Sequence, residues 1–200
     1  MDAVAEIAHP HQTVVQSNQL GTGNAVLVAR QKLAEEGNDF QGDILVLFGA
    51  DPLIEADTIA RMIKIRQESH NPAIVVLGFE AWEPGDYGRL ILANNGSIDA
   101  IVEANEATQE QLSITLCNSG VMLIDGAHLW RLLERIKTIN KKGEHYLTDI
   151  VALAQAEGLG TAVVTGDEEE LLGIDDRIDL ARAESHVQNK LRLAAMRGGA

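Results

Sequence analysis

Hydrophobic residues along the chain follow two spacings, one typical of buried strands and one typical of amphipathic helices. Unbroken apolar runs between turn residues predict an extended segment at 13–15 and strands at 44–48, 73–79, 120–124 and 161–165. Apolar residues three or four positions apart predict helices at 25–37, 57–69, 127–139, 147–157 and 177–197. The Asn-Asn-Gly turn at 94–96 predicts a β-hairpin between 87–92 and 98–103, because Asn-Gly accepts the left-handed φ of a tight turn.

The order of these elements predicts the fold class. Strands that alternate with helices favour an α/β fold with a mixed, mainly parallel sheet and helices on both faces, in which the hairpin is an antiparallel insertion. The unbroken run 44–48 predicts a strand buried on both faces, and the acidic run 167–170 is more typical of a solvated loop than of a site. No linker, repeat or low-complexity tract divides the chain, so residues 1–200 are expected to form one domain, with 178–197 as its C-terminal helix.

Composition narrows the function classes. The chain has 200 residues, of which 46% are hydrophobic, and a formal net charge of -14, which disfavours nucleic acid as a partner because phosphate binding needs many Lys and Arg. Its one cysteine, Cys117, excludes an internal disulfide framework and a cysteine-based zinc site. No apolar run approaches the roughly 18 residues that span a bilayer, and the acidic N-terminal segment lacks the pattern of a secretory signal. We therefore expect a cytoplasmic protein without a membrane partner.

Two turns are candidates for chemistry, and the residues alone leave each of them open. Gly21-Thr22-Gly23 precedes a helix, where free N–H groups bind anions, but a plain turn has the same composition. Asp51 follows the strand 44–48, where α/β sheets bind ligands and a carboxylate holds Mg²⁺, but it also suits a helix-entry cap. Other polar residues also lie at the ends of apolar runs. Taken together they resemble a sugar-binding surface, but each of them singly is typical of a helix cap or a solvated residue: Glu103, Asn118, Glu144, Tyr146, Thr148, Asp149 and Asp175.

A series of short motifs resembles one enzyme family. In chain order the motifs are Gln16-x-x-Gln19-Leu20-Gly21-Thr22-Gly23, Phe48-Gly49-Ala50-Asp51-Pro52, Tyr87-Gly88-Arg89, Ile101-Val102-Glu103, Asn118-Ser119-Gly120, Gly143-Glu144-His145-Tyr146-Leu147-Thr148-Asp149 and Gly173-Ile174-Asp175-Asp176-Arg177. The series resembles the uridyltransferase domain of the bacterial bifunctional N-acetylglucosamine-1-phosphate uridyltransferase/glucosamine-1-phosphate acetyltransferases. The resemblance runs from about Gln16 into the last helix, and the first and sixth motifs are its most specific parts.

The resemblance implies a Rossmann-like nucleotidyltransferase fold and a magnesium-dependent reaction. UTP and N-acetylglucosamine 1-phosphate would give pyrophosphate and UDP-N-acetylglucosamine, a precursor of peptidoglycan and lipopolysaccharide. The sugar phosphate would attack the α-phosphorus directly, so no catalytic protein nucleophile is expected. By motif match the nucleotide is bound by Gln16, Gly21, Thr22, Phe48 and Gly49. The sugar is bound by Gly88, Glu103, Asn118, Glu144, Tyr146 and Thr148. Asp51, from the second motif, and Asp175, from the last one, would bind the Mg²⁺ ion.

Departures from the family pattern set further expectations. The family opens with a strand and a Gly-rich loop whose Arg and Lys hold the triphosphate, and this sequence contains neither that segment nor the acetyltransferase β-helix. Ala50 stands where the family has a metal-binding Asp, so that Asp51 follows one residue later; Asp175 replaces a metal-binding Asn. Asn105 replaces a Lys.

These departures predict an incomplete nucleotidyltransferase domain that lacks its first strand and its phosphate loop. Such a domain exposes an apolar sheet edge, through which the chain is expected to associate with itself. A non-catalytic sugar-nucleotide-binding fragment and a nucleotidyltransferase of different sugar preference stay as alternatives. In each case, binding of a phosphorylated ligand is expected to depend strongly on Mg²⁺, because the remaining site is rich in carboxylates.

Overall fold

The computed structural model describes residues 2–37, 41–68 and 70–199. Its α-helices are α1 Asp2–Ala8, α2 Thr22–Glu35, α3 Ala56–Arg66, α4 Gln109–Leu112, α5 Gly126–Leu133, α6 Asp149–Ala156 and α7 Arg177–Arg197. Its strands are β1 Asp43–Val46, β2 Ile74–Glu80, β3 Arg89–Leu92, β4 Ile98–Val102, β5 Leu116–Asp125 and β6 Thr161–Thr165. A 3-10 helix, Glu168–Leu171, precedes α7. None of the helices in these ranges has the length and apolar character that a bilayer span requires.

The six strands form one sheet around β5, the longest of them. One edge of β5 pairs with β2, and the other edge pairs with β3 at Cys117 and with β1 from Met122 to Asp125. Among the described strands, four of the five pairings are antiparallel and only β2–β6 is parallel. The mixed sheet is therefore confirmed, but the expectation of a mainly parallel sheet is wrong, because β5 runs opposite to all three of its neighbours.

Most elements lie close to the positions that the hydrophobic pattern predicts. The hairpin β3–β4 is confirmed, and β6 coincides with the predicted strand 161–165. Residues 13–15 form no strand. The last residue of the predicted helix 57–69 is Ser69, which lies outside the described residues.

Two segments differ from their predictions. Helix α5 ends at Leu133 instead of continuing to 139, and Ile136 is buried in the core from the irregular segment that follows. The acidic run 167–170 is solvated only in part: Asp167 and Glu169 are exposed, but 168–170 lie in the 3-10 helix and Glu170 is only 7% exposed.

Apolar residues of β2 alternate between two hydrophobic clusters, one on each face of the sheet. Ile74 and Val76 pack with residues of α5 and α6, and Val75 and Leu77 pack with residues of α3 and the 3-10 helix. This division follows from the alternation of side chains along a strand, and every residue from Ile74 to Phe79 is buried. The predicted helices on both faces are therefore confirmed.

Strand β1 is less buried than its sequence predicts. Its residues are half-buried or exposed, and Leu47 and Phe48, which follow it, are 50% and 39% exposed. Within the described residues β1 pairs only with β5, and an apolar cavity of about 600 Å³ lies between β1 and α2. Burial on both faces is thus wrong for 44–48, whereas the expected exposed apolar edge is present.

Candidate active site

A cleft of about 950 Å³ lies over the sheet beside β5. Its walls are the segments that follow β1 and β4 and the loops that precede β3, α2, α6 and α7. The cleft brings together residues that are far apart in the sequence. All the residues assigned by motif match line it: Gln16, Gly21, Thr22, Phe48, Gly49, Asp51, Gly88, Glu103, Asn118, Glu144, Tyr146, Thr148 and Asp175.

Four of the residues assigned to the sugar contact one another. Thr148 donates a hydrogen bond from Oγ1 to Glu103 Oε1 (2.9 Å), and the backbone N–H of Asn118 donates to the Gly88 carbonyl (2.8 Å). A Cβ on Gly88 would lie 3.2 Å from Ile101 Cγ2 and 3.6 Å from Glu103 Oε2. Glycine at this position therefore leaves the Glu103 carboxylate accessible, which gives the cleft a polar wall suited to a ligand with hydroxyl groups.

The segment before α6 adds further polar groups to this wall. The hydroxyl of Tyr146 is buried and has no hydrogen-bond partner in the described part of the chain, so a polar ligand group would satisfy it. The backbone of Glu144 is fixed by Asn140, which accepts from its N–H (3.1 Å) and donates to its carbonyl (2.6 Å). Burial raises the pKa of Asp149, and the negative charge of Glu103 raises it further.

The Gly21-Thr22-Gly23 turn packs directly on the segment before α6. The N–H of Gly23 donates to the His145 carbonyl (2.8 Å), and the N–H of Leu147 donates to Thr22 Oγ1 (3.0 Å). Gly21 has a φ of +98°, and a Cβ there would lie 2.7 Å from the His145 carbonyl oxygen. The N–H of Gly23 is therefore not free to bind an anion. The glycines instead allow the turn before α2 and the segment before α6 to approach each other closely.

Phe48 is positioned by Gly120 of β5. Gly120 has a φ of +88°, and a Cβ there would lie 1.8 Å from Phe48 Cε2, so the ring occupies the space that a side chain would need. The N–H of Gly120 donates to Asn118 Oδ1 (3.0 Å), which joins this contact to the polar wall. The contact fixes an exposed aromatic ring over one side of the cleft.

Two carboxylates, Asp51 and Asp175, lie on adjacent loops. The N–H of Ile174 donates to the Ala50 carbonyl (2.9 Å), and a Cβ on Gly173 would lie 3.4 Å from Asp51 Oδ1. Burial raises the pKa of Asp51, and the negative charge of Asp175 raises it further. The one-residue displacement of Asp51 therefore does not turn its side chain away from the cleft.

The donor set of these loops fits a hard divalent cation. Oδ2 of Asp51 is buried and has no hydrogen-bond partner within the described ranges, and such an oxygen is costly unless a cation or a donor pairs with it. No cluster of three or more His, Cys, Asp or Glu side chains suited to a metal occurs among the described residues. Two carboxylates are nevertheless sufficient for an ion such as Mg²⁺, which keeps several waters and shares its remaining positions with substrate phosphates.

Sequence reasoning misses several residues of the cleft wall. Asp86 and Tyr87 line it, and burial, followed by the charge of Asp51, raises the pKa of Tyr87. Lys142 is the only Lys or Arg that the described wall contains. Asp86 and Lys142 have no signal in the sequence beyond their place next to a motif. Tyr87 is the first residue of the Tyr87-Gly88-Arg89 motif but has no role assigned by it.

The chain is similar along its whole length to bacterial proteins named bifunctional protein GlmU. It is 51% identical over 200 residues to the one from Paramagnetospirillum magneticum and 49% identical over 200 residues to the one from Rhodospirillum rubrum. These matches cover 100% of this chain but 43% and 44% of the relatives, so the chain spans less than half of their length. No protein-family model matches the chain.

Solved structures share the fold at low sequence identity. A UDP-glucose pyrophosphorylase complexed with UDP-glucose matches with a TM-score of 0.59 and 21% identity, over 77% of this chain and 57% of that one. The nucleoside-diphosphate-sugar pyrophosphorylase from Vibrio cholerae RC9 matches with a TM-score of 0.59 and 15% identity, over 84% of this chain and 66% of that one. The resemblance carried by the motifs is confirmed: along its whole length the chain is similar to part of the bifunctional GlmU proteins, and it shares its α/β fold with the two pyrophosphorylases.

Proposed function

We propose that the chain forms an N-acetylglucosamine-1-phosphate uridyltransferase site, which converts UTP and N-acetylglucosamine 1-phosphate into UDP-N-acetylglucosamine and pyrophosphate. The observation that carries this proposal is the convergence of thirteen motif residues on one cleft. Relatives 51% and 49% identical over the whole chain support it. On this proposal, residues 1–200 act as one nucleotidyltransferase domain and work in the cytoplasm.

The walls of the cleft hold different parts of the substrates. The uridine lies between the Gly21 turn and Phe48, and the sugar lies against Glu103 and Thr148. Thr148 fixes the Glu103 carboxylate through its 2.9 Å hydrogen bond, which leaves the second carboxylate oxygen to accept from sugar hydroxyls. The unpartnered hydroxyl of Tyr146 pairs with a further polar group of the ligand. The chain contributes orientation, because in-line attack by the sugar phosphate needs no protein nucleophile.

Mg²⁺ is the metal that suits this reaction, and Asp51 and Asp175 would hold it. When bound, the ion neutralises negative charge on the phosphate oxygens. The 2.9 Å hydrogen bond between Ile174 and Ala50 keeps the two carboxylate loops together before any ligand arrives. Because Lys142 is the one basic residue of the described wall, phosphate binding depends on the metal.

A sugar-nucleotide-binding module without turnover is the second candidate, and the charge of the cleft favours it. Transfer of the uridylyl group, with pyrophosphate as the leaving group, needs several positive groups around the phosphates. Within the described wall, Lys142 is the only such side chain. A module of this kind would bind UDP-N-acetylglucosamine and release no pyrophosphate.

One pair of measurements separates these functions: pyrophosphate release from UTP and N-acetylglucosamine 1-phosphate with Mg²⁺, and calorimetric binding of UDP-N-acetylglucosamine. If the chain is a uridyltransferase, both signals appear, and turnover is lost in Asp51→Ala and Asp175→Ala. Asp86→Ala is the control and should retain turnover, because Asp86 lines the wall but has no proposed role in metal binding. Binding without turnover favours the module. Turnover with a different sugar 1-phosphate indicates a different sugar preference. The absence of both pyrophosphate release and binding contradicts the proposal.

Asp51 has its own test, because it stands one residue beyond the position that the family uses. If Asp175→Ala abolishes turnover and Asp51→Ala does not, Asp51 is not a metal ligand. Calorimetric titration of Mg²⁺ into each variant gives the same answer without turnover.

We further propose that the chain associates with itself through the open edge of β1. Unpaired backbone groups of a strand edge form hydrogen bonds with a second strand, and the exposed Leu47 and Phe48 next to β1 add apolar area. The net charge of -14 opposes this association, so added salt should strengthen it.

A further inference from the structure

Lys142 is a single positive charge in a wall of the cleft that is otherwise acidic. Five carboxylates line the same described wall: Asp51, Asp86, Glu103, Glu144 and Asp175. The ion pairs that join described residues include Lys141, the residue before it, but not Lys142. The Lys142 ammonium group is therefore available to an anionic group of a ligand.

The loop that carries Lys142 is held in shape by Asn140. Oδ1 of Asn140 accepts from the N–H of Lys142 (3.2 Å) and from the N–H of Glu144 (3.1 Å), and its Nδ2 donates to the Glu144 carbonyl (2.6 Å). Gly143 has a φ of +66° and nothing within 4 Å of the position of a Cβ, so glycine serves the backbone conformation of this turn. The backbone of Lys142 is thus fixed, whereas its side chain stays exposed.

Lys141 fastens the same loop to the segment that follows β4. Its Nζ donates to the Asn105 carbonyl, and its N–H donates to Glu106 Oε1 (2.8 Å). The N–H of Glu106 in turn donates to the carbonyl of Glu103 (2.9 Å), the carboxylate assigned to the sugar. Lys141 does not line the cleft and Lys142 does, so the first lysine anchors the loop and the second faces the ligand on the Glu103 side.

We propose that Lys142 binds the phosphate group of the sugar 1-phosphate. This inference rests on the proposed function, in which the sugar lies against Glu103 and Thr148. The phosphate is bonded to the sugar and therefore lies near the same wall, where the carboxylates repel it. An ammonium group on a flexible stem has three N–H donors and reaches a phosphate oxygen from a fixed backbone, and no other side chain of the described wall supplies a positive charge.

The experiment compares ligands with and without this phosphate by calorimetry on the full chain with Mg²⁺. N-acetylglucosamine 1-phosphate and UDP-N-acetylglucosamine carry it, whereas UMP carries only the phosphate that comes from UTP. We expect Lys142→Gln to lower the affinity for the first two ligands by about tenfold, because a hydrogen bond between charged groups is lost, and to leave the affinity for UMP unchanged. Lys142→Arg should lose less affinity than Lys142→Gln, because it keeps the positive charge.

Lys137→Gln is the matched control, since Lys137 is exposed, lies in the segment before this loop and does not line the cleft. Affinity for UMP reports the folded fraction of each variant.

Four results would overturn the inference. Unchanged affinity for N-acetylglucosamine 1-phosphate in Lys142→Gln refutes it and leaves the proposed function standing. An equal loss for UMP means that Lys142 does not act on the sugar phosphate, and an equal loss in Lys137→Gln means that the net charge of the chain is responsible instead of a contact. A wild-type chain that binds none of the three ligands contradicts the proposed function itself and this inference with it.

Discussion

Glu170 is a buried carboxylate that fastens the 3-10 helix to the start of α3. One of its oxygens accepts from the backbone N–H of Glu55 (2.6 Å), and the other accepts from the hydroxyl of Thr58 (2.9 Å). Glu170 is 7% exposed and Thr58 is 3% exposed. Glu55 is the N-cap of α3 and makes no side-chain cap itself, so Glu170 supplies the cap from a distant segment. We therefore predict that Glu170→Ala strongly destabilises the fold.

The magnitude follows from these two hydrogen bonds. A hydrogen bond to a charged group contributes about 1.5–3 kcal/mol, so loss of both in Glu170→Ala should lower the free energy of unfolding by about 3 kcal/mol or more. Glu170→Gln keeps an acceptor for the Glu55 N–H and offers an N–H to the Thr58 oxygen. Its cost should be only about 1 kcal/mol.

Urea unfolding followed by far-UV circular dichroism measures both variants. With a slope of about 3 kcal/mol per molar urea, a loss of about 3 kcal/mol lowers the midpoint by about 1 M. Glu169→Gln is the matched control, since the Glu169 side chain is 72% exposed and its ion pair with His186 contributes about 1 kcal/mol at most. A midpoint for Glu170→Ala equal to that of Glu169→Gln would refute the capping role.

Three further predictions follow from single contacts. Gly120→Ala should displace the ring of Phe48 and lower the free energy of unfolding more than Gly96→Ala does, as urea unfolding would measure. Gly96 is the matched control, because it has a similar positive φ (+83°) but no atom within 4 Å of the position of a Cβ. Asp51→Asn should stabilise the metal-free chain at neutral pH and weaken Mg²⁺ binding in calorimetry. Because the pKa of Asp51 is raised in the folded chain, its contribution to stability is highest below the ordinary carboxyl range and falls as the pH rises through the raised pKa. The stability difference between Asp51→Asn and the wild type should therefore disappear in acid. Leu47→Lys should reduce self-association in sedimentation, and a wild-type mass independent of concentration would contradict the open-edge proposal.

Local periodicity predicts elements well and predicts their partners poorly. The spacing of apolar residues identifies β6 and the long helix α7, because each pattern is a property of one segment. The antiparallel pairing of β5 with three strands depends on contacts between distant segments, which periodicity does not contain. For the same reason an unbroken apolar run does not reveal that β1 has an open edge.

The sequence likewise identifies some residues of the candidate site and misses others. Motif residues converge on the cleft because their order and spacing carry the resemblance, and all thirteen line it. Glu170 carries no such signal. It acts through distant residues, the backbone N–H of Glu55 and the hydroxyl of Thr58, and a carboxylate in an acidic run looks like a solvated residue in the sequence.

Two separate sets of hydrogen bonds hold the walls of the cleft. The loop before α2 and the segment before α6 are joined by the bond between Gly23 and His145 (2.8 Å). The two carboxylate loops are joined by the bond between Ile174 and Ala50 (2.9 Å), and the cap that Glu170 provides fixes the chain just beyond Asp51. The Gly21 turn and the two carboxylate loops are therefore held by separate contacts.

This division predicts the outcome of one variant. Effects of substitutions at sites without shared contacts add, whereas effects within one network do not. Loss of the cap in Glu170→Ala should weaken Mg²⁺ binding and leave the ratio of UDP to CDP affinity unchanged, because UDP and CDP differ only in the base and share the same phosphates. A ratio that falls in Glu170→Ala would mean instead that the cleft walls move as one unit, so that base selectivity depends on the metal-side loops as well as on the Gly21 turn.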